Sequence, residues 1–533
     1  MKKMKWLCLV LALVMLLTGC SGLSFDDLWK ELTTLQVTPF SEMEYTRPDP
    51  AKMEEELKKC CSMAETEKQV KPVVEQVWVV YNLYNTFYTN YNLASIFYFK
   101  DLTDTKWEEE YNFCLQAAAN YDAMLEEMFY ALADCPLRDK LEADPSFGEG
   151  FFDNYEGESI WDETFLRLME QEAALEEEYY QLCTAAQDTE YYSQEYFENY
   201  GTKMAQLFVE LVGVRQQIAE YAGYPDYPSF AYDFYHKRDY TPQQAVSYLE
   251  ELGKALSSLY RTIESVPEAD KLCTQDQIFS YVEACAQAMD GTAKTAFTAM
   301  KDASLYDLTL SDKKYDGSFE VYLTDYTSPY IFLNPTGYAR DKLTFAHEFG
   351  HFCSDFAAHG SYAGVDVAEF FSQGLEYLSL CYGPESGSLT KLKMLDSLCV
   401  FVEQSAYALF EHQVYGLKGS ELTVENVQKL YEQIGTRFGF DSWDWDPRDY
   451  VLVGHFFTEP MYVISYVTSN DAALQLYQLE QQEKGSGLAL WENNLATEEA
   501  FFLAFTESAG LKSPFASGRA AEIRATLEAA LAA

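Results

Sequence analysis

Leu343-Thr-Phe-Ala-His347-Glu348-Phe-Gly-His351-Phe-Cys-Ser-Asp-Phe356 is the stretch on which the reading of this chain turns. Its two histidines stand four residues apart, so on an α-helix both imidazoles share a face and can reach one metal ion. Glu348 is rotated about 100° from His347. That sets it beside such a metal rather than on it, where a carboxylate can hold water. Leu343, Phe345, Ala346, Phe349, Phe352 and Phe356 flank the motif, as a helix buried around its site requires. Asn334-Pro335-Thr336-Gly337 supplies a turn before it. The chain has only six histidines, and a chance His-Glu-x-x-His arises in roughly one such chain in a hundred.

A catalytic zinc takes three protein ligands and keeps one position open. The next segment reads Asp366-Val-Ala-Glu369-Phe-Phe-Ser-Gln-Gly-Leu-Glu376-Tyr-Leu378. It places two glutamates two helical turns apart amid Val367, Phe370, Phe371, Leu375 and Leu378. A carboxylate on so apolar a helix is costly to bury unless it binds something. Glu369 as third ligand and Glu376 as acceptor for a ligand histidine satisfies both. The alternative is that one of the pair faces solvent. With zinc bound by His347, His351 and Glu369, water is acidified to a pKa of about 7. Glu348 then acts as general base, taking the water proton and returning it to a leaving amine.

The rest of the chain bounds this reading. Its 533 residues exceed one ordinary core and predict two sub-domains or one elongated helical domain. Hydrophobic residues make up 48% and aromatics 16%, as in a folded protein with a large interior. The net charge of −47 excludes a nucleic-acid partner, whose phosphates would be repelled. It serves solubility, or it favours neutral and cationic peptides.

Residues 1–19 form a leader. Lys2, Lys3 and Lys5 give a positive start, and Trp6 to Leu17 is an apolar run too short to span a bilayer comfortably. Leu17-Thr18-Gly19-Cys20 resembles the lipobox of bacterial lipoproteins. That resemblance implies cleavage before Cys20, acylation of Cys20, and a protein held on the outer face of the bacterial cytoplasmic membrane. An ordinary secretory leader ending near a cysteine is the competing reading. Val77 to Phe99 lacks charge but carries four asparagines and five tyrosines, which predicts an aromatic-rich buried helix rather than a membrane span. Besides Cys8 and Cys20 there are ten cysteines without C-x-x-C spacing, expected to be apolar core residues.

Residues 24–300 read as long helices, with three- and four-residue periodicity clearest from Trp161 to Leu182. Loops are expected near Cys135–Tyr155 and over Gly223-Tyr-Pro-Asp-Tyr-Pro228. Phe319-Glu-Val-Tyr-Leu-Thr324 and Ser328-Pro-Tyr-Ile-Phe-Leu333 predict two short strands. Helical patterns resume near Arg340. The fold class is therefore mainly α, with a small sheet just before the HEFGH helix.

Taken together, these residues resemble the thimet oligopeptidase and oligoendopeptidase F family of zinc peptidases. The resemblance covers most of the chain beyond about residue 200. It begins at Tyr221-Ala-Gly-Tyr-Pro-Asp-Tyr-Pro-Ser-Phe-Ala-Tyr232. It then runs through Tyr338 to His351, through Ala368-Glu369 to Glu376, and through Ala406-Tyr-Ala-Leu-Phe-Glu411-His. It ends at Gly454-His455-Phe-Phe-Thr-Glu-Pro-Met-Tyr462-Val-Ile-Ser-Tyr466. It implies a large helical zinc-peptidase fold with a deep substrate channel, residues 20–200 forming an N-terminal helical region and 201–533 the catalytic region. It implies one zinc on His347, His351 and Glu369, with Glu348 as general base. It also implies that His455, Tyr462 or Tyr466 meets the substrate or the oxyanion. Tyr462 and Tyr466, four apart, can share a helical face, and their phenols suit that donor role. Core packing of either tyrosine, and a structural role for His455, stay open. Two departures affect the pocket: Ser354 stands where members often carry a further histidine, and the segment from His351 to Glu369 is short.

The expected activity is endopeptidase cleavage of short, unstructured peptides. A zinc carboxypeptidase on a related fold would need a cation for the substrate's terminal carboxylate. A peptide-binding lipoprotein that has lost catalysis would have no use for Glu348.

Overall fold

The computed structural model describes residues 37–532 except 158, 187–188, 191, 263–270, 361–362, 385, 441–444 and 498. The leader and Cys20 lie outside the described residues.

Helices dominate. Four of them, α1 (Pro50–Thr66), α2 (Val70–Lys100), α3 (Thr105–Ala133) and α4 (Glu163–Ala186), pack side by side at the N-terminal end. The uncharged Val77–Phe99 stretch lies inside α2, with Val80, Phe87, Leu93, Ile96 and Phe99 turned into the core. Its Asn90 amide donates to Thr86 O at 2.7 Å, a local bond that removes the cost of burying the group. Among the described residues no helix is long and apolar enough to cross a membrane. Cys60, Cys114, Cys135, Cys273, Cys285 and Cys353 are buried, as expected of apolar core cysteines.

α5 (Thr202–Tyr221) leads to α6 (Tyr227–Phe234). The expected loop is shorter than the glycine and prolines suggest. Asp226 accepts from Ser229 N–H, and Pro228 sits in the first turn, where its missing N–H costs nothing. α7 (Pro242–Tyr260) and α8 (Gln275–Met289) each open on a threonine capping box, and α9 (Gly291–Asp302) follows.

The sheet comes next: β1 (Tyr306–Asp307), β2 (Ser318–Leu323) and β3 (Ser328–Leu333), in spatial order β1-β3-β2. β2 and β3 pair antiparallel, Ser318 opposite Leu333 through Leu323 opposite Ser328, while β1 runs parallel to β3. Thr327, at φ 50°, closes the turn between the long strands. β1 adds a third strand to the two that the sequence predicts; its two residues are too few for an alternating pattern. The central strand β3 is buried throughout, and β2 forms an edge of the sheet, where Tyr322 O accepts from Asn92 Nδ2 of α2 at 3.2 Å.

That sheet rests on α10 (Asp341–Ala358), the HEFGH helix. α11 (Val365–Tyr382) crosses α10, and α12 (Ser386–Cys399) and α13 (Ser405–Val414) follow, joined by a π-helical turn at Val400–Gln404. α14 (Val424–Phe438) is the strongly amphipathic surface helix of this half. α15 (Ile464–Gln482) lies along α11 and is buried on nearly every side. One buried core, continuous from Met43 to Leu527, joins these layers.

Candidate active site

α10 and α11 meet unusually closely, and Gly350 is the reason. A Cβ there would come within 2.5 Å of the Phe371 carbonyl oxygen and of Ser372 Cα. Only hydrogen at this position lets the two backbones approach. The contact brings the His347–His351 face of α10 against Glu369 of α11.

His347 Nε2 lies 3.3 Å from Glu369 Oε2, and His351 Nε2 lies 3.8 Å from the same oxygen. One ligand atom from each of the three residues falls within 4.8 Å of the others. Ligands about 2.0–2.1 Å from a tetrahedral ion stand roughly 3.3 Å apart, so this donor set fits zinc. The other imidazole nitrogen of His347, Nδ1, is 2.9 Å from Glu376 Oε1, and Glu376 Oε2 receives Lys393 Nζ at 2.7 Å. Glu369 is held twice more, by Ser372 Oγ at 2.8 Å and by the Tyr462 phenol at 2.6 Å. With 1% of its surface exposed, Glu369 would be costly to bury without these partners.

The electrostatics follow from burial and from this clustering. Burial works against the Glu369 carboxylate, but His347, His351 and the Tyr462 hydrogen bond outweigh it and bring its pKa down to about 2. Burial lowers His351 to about 4, keeping it neutral as a metal ligand must be. For His347 burial acts in the same sense, yet the Glu369 and Glu376 carboxylates overcome it and hold its pKa well above the usual imidazole value. That proton must leave before Nε2 can bind a cation. Glu348, 5% exposed, is pushed up to about 7, chiefly by burial; His347 and a hydrogen bond from Ser318 at the start of β2 act the other way.

His455 begins a helical turn at His455–Thr458, and its Nε2 is 3.1 Å from the Tyr466 phenol. The Tyr462 and Tyr466 rings stand 5.3 Å apart, and Tyr462 is 5.4 Å from His455. His347, Glu348, His351, Glu369, Glu376, His455, Tyr462 and Tyr466 therefore share one neighbourhood. Their hydrogen bonds separate them into two groups. Tyr462 spends its proton on Glu369, while Tyr466 and His455 form a pair of their own. Ser354, the departure from the resembled pattern, donates to Leu495 O at 3.2 Å on the buried side of α10.

The segment carrying these groups is held from behind by buried charges. Arg215 Nη1 donates to Phe456 O at 2.7 Å, and its Nε pairs with Glu172 at 2.6 Å. Arg238 Nη1 donates to Met461 O at 2.9 Å, its Nη2 donates to Ser465 Oγ at 2.8 Å, and it pairs with buried Asp366 at 3.3 Å. His236 Nε2 donates to Pro460 O at 2.9 Å, and Glu411 Oε1 accepts the Met461 N–H at 2.7 Å. Met461 itself has φ 64°, a left-handed conformation that a non-glycine residue keeps only when its surroundings fix it. Sequence reasoning misses Lys393, Arg215, Arg238, His236 and Glu411 as site residues. Their partners lie 17 to 242 residues away, and no local spacing announces such pairs.

Residues 40–159 match the Peptidase M3 N-terminal domain family. No curated protein sequence matches the chain. Two solved structures assigned as oligoendopeptidase F are similar in fold. One has 21% identity and TM-score 0.81, covering 93% of this chain and 99% of its own. The other, from Bacillus anthracis, has 19% identity and TM-score 0.78 with the same coverage. A PZ peptidase A structure with an inhibitor is similar at 17% identity and TM-score 0.81, over 92% of this chain and 99% of that one. Residues 40–159 thus match an M3 N-terminal domain, and the chain as a whole shares the fold of these oligoendopeptidase F and PZ peptidase structures.

Proposed function

We propose that this chain is a zinc-dependent endopeptidase acting on short, unstructured peptides. The observation that carries the reading is the convergence of His347, His351 and Glu369 beside the buried carboxyl of Glu348. Those three residues would hold the metal. Zinc, when bound, supplies Lewis acidity that polarises a carbonyl and acidifies water.

The remaining chemistry belongs to side chains. Glu348, with a pKa near 7, is suited both to take a proton from water and to return it to the leaving amine. Glu376 fixes the His347 ring through Nδ1, leaving Nε2 for the metal. The Tyr466 phenol, set by His455, is the donor best placed for the developing oxyanion, because the Tyr462 proton is committed to Glu369. β2 lies on α10 at the edge of the sheet, and an extended peptide could add to it by main-chain hydrogen bonds.

Endopeptidase action is favoured over carboxypeptidase action by the fate of the nearby cations. Lys393 and Arg238 are buried and committed to Glu376 and Asp366, not offered to a terminal carboxylate. The lipobox-like leader further suggests attachment through Cys20 to the outer face of the membrane, which loss of membrane fractionation in Cys20→Ala would test.

A mixed peptide library digested by the purified protein, with cut sites mapped by mass spectrometry, tests the activity. Internal cuts, retained on C-terminally amidated peptides and abolished by a chelator or by Glu348→Gln, are expected. Loss of cleavage on amidation, or undiminished cleavage by Glu348→Gln, overturns the reading.

A further inference from the structure

A cavity of about 610 Å³ opens beside His455, within the size range of small-ligand sites. One wall is aromatic and continuous. Tyr431, Phe440 and Tyr407 each stack with Trp445, at ring-centroid distances of 4.3, 4.8 and 5.1 Å. The π-helical turn Val400–Gln404 sets Glu403 into the same lining, one turn ahead of Tyr407, and Tyr260 donates its phenol proton to Glu403. Such turns recur at functional sites because they realign side chains that a regular helix would send elsewhere. Asp449 also lines the recess. Its Oδ2 accepts the Asp446 N–H at 3.1 Å, while its Oδ1 is buried with no hydrogen-bond partner among the described residues.

Two carboxylates thus share a recess with several aromatic side chains, and among the described residues no lysine or arginine lines it. Arg448, the neighbouring cation in sequence, is paired with Asp446 at 2.8 Å and lies over the Phe197 ring. Burial, helped by the neighbouring Asp446 carboxylate, raises the Asp449 carboxyl to about 6 against the opposing pull of the Asp446 N–H and of Arg448. Aromatic faces and carboxylates attract the same kind of ligand, an organic cation, and both repel an anion. The recess adjoins the catalytic groups through His455, which lines it and also meets Tyr466 at 3.1 Å. An occupant is therefore most simply part of the peptide being cut.

We propose that the cavity walled by Glu403, Tyr407, Trp445, Asp449 and His455 is a specificity subsite for a lysine or arginine side chain of the substrate. The assignment rests on the peptidase reading above and adds a substrate class to it. It predicts a positional preference: one residue at a fixed distance from the scissile bond is favoured when cationic. The strongly negative net charge would bring such peptides to the molecule, but only this cavity would fix the position of the charge.

The experiment uses an eight-residue alanine- and glycine-rich peptide carrying one lysine, moved through every position, with glutamine and glutamate counterparts. For the purified full chain loaded with zinc, kcat/KM with lysine at one position is expected to exceed that with glutamine about tenfold or more. Glu403→Gln and Asp449→Asn, each checked for an unchanged melting profile, should lower that lysine-to-glutamine ratio at least fivefold. Glu55→Gln, an exposed carboxylate on α1, should leave it as it was. A ratio near one at every position, a ratio unmoved by the cavity variants, or one lowered equally by Glu55→Gln overturns the subsite. If no peptide is cut, the peptidase reading fails, and the subsite is decided by fluorescence anisotropy of the labelled lysine and glutamine peptides. Binding that is equal for the two, or insensitive to Glu403→Gln, then overturns it as well.

Discussion

Glu376 Oε1 lies 2.9 Å from His347 Nδ1 and so determines which imidazole nitrogen is free to bind a metal. The other oxygen of Glu376 is anchored by buried Lys393 at 2.7 Å, which makes the orientation of the ligand ring depend on a residue of the next helix. Removing such an orienting partner typically weakens metal binding about 10- to 100-fold. Glu376→Gln should lose zinc affinity by that amount in chelator competition, and Lys393→Met should shift it in the same direction. Wild-type affinity in both variants would show that the ring is fixed by something else.

The two tyrosines should separate in the same assay. Tyr462 donates to Glu369 at 2.6 Å, whereas Tyr466 is 3.1 Å from His455. Tyr462→Phe is expected to weaken zinc binding roughly tenfold. Tyr466→Phe should leave the metal in place and lower kcat by about 10²–10³, the usual cost of removing an oxyanion donor. The reverse pattern would exchange their roles.

How much of this was legible in the sequence depends on the distance between partners. His347 and His351 are one turn apart, and Glu369 and Glu376 two turns, so helical periodicity alone places each pair on a face. The strands were legible because Phe319–Thr324 and Ser328–Leu333 are rich in aromatic and β-branched residues, and the described strands fall within one residue of them. The two-residue β1 has no such signature. Lys393 looks like any surface lysine of a helix until the fold places Glu376 beside it. Arg238 and Met461 meet across 223 residues, a pairing that periodicity cannot encode. The family match at residues 40–159 falls where the sequence offered long amphipathic helices but no motif.

Gly350 is a sharper steric test of the α10–α11 contact. Gly350→Ala favours helix propensity by about 1 kcal/mol, so any net loss must come from the new Cβ. That atom would meet backbone, not a side chain that could swing away. Overpacking against backbone costs about 1–3 kcal/mol. Chemical denaturation should show Gly350→Ala less stable than the parent, with weaker zinc binding as Glu369 is pushed from the histidines. A stabilised variant would mean that the helices are not held as closely as described.

Acid sensitivity should come in part from His412. Its Nδ1 donates to Ala408 O at 2.6 Å, so Nε2 must accept from the Tyr232 phenol at 2.7 Å. The Tyr232 bond requires the neutral ring, and burial lowers its pKa to about 4 although the Ala408 bond favours the charged form. The unfolded chain binds this proton near pH 6.5, and the folded chain only near 4. Stability is therefore lost as pH falls from about 6.5 towards 4, by on the order of 2–3 kcal/mol. His236, lowered to about 3, acts in the same direction and extends the loss to lower pH. Unfolding free energies measured between pH 7 and 4.5 should fall less steeply for His412→Gln than for the parent. Equal slopes would remove His412 from the account.

Arg238 offers the test that separates holding the fold from holding the site. Its ion pair with Asp366 is buried, and Tyr240 completes the carboxylate's hydrogen bonding at 2.6 Å. Arg238→Met leaves Asp366 without its counter-charge, a change that costs about 3–5 kcal/mol. Replacing both members, as Arg238→Met with Asp366→Leu, removes the unpaired charge and should recover most of that stability. It cannot restore the bond to Met461 O, nor the one to Ser465 Oγ. The left-handed turn at Met461 then keeps only Glu411 and the neighbouring His236 contact, and Tyr462 and Tyr466 lose their fixed setting. The double variant is therefore expected to unfold near the parent's denaturant midpoint while cleaving peptides with a kcat lower by roughly 10²-fold, the cost of about 1 Å of misplacement. Its KM should change less, because the loosened groups act after the peptide is bound. Recovery of turnover together with stability would show that Arg238 serves the core alone and that the Met461 turn sets itself.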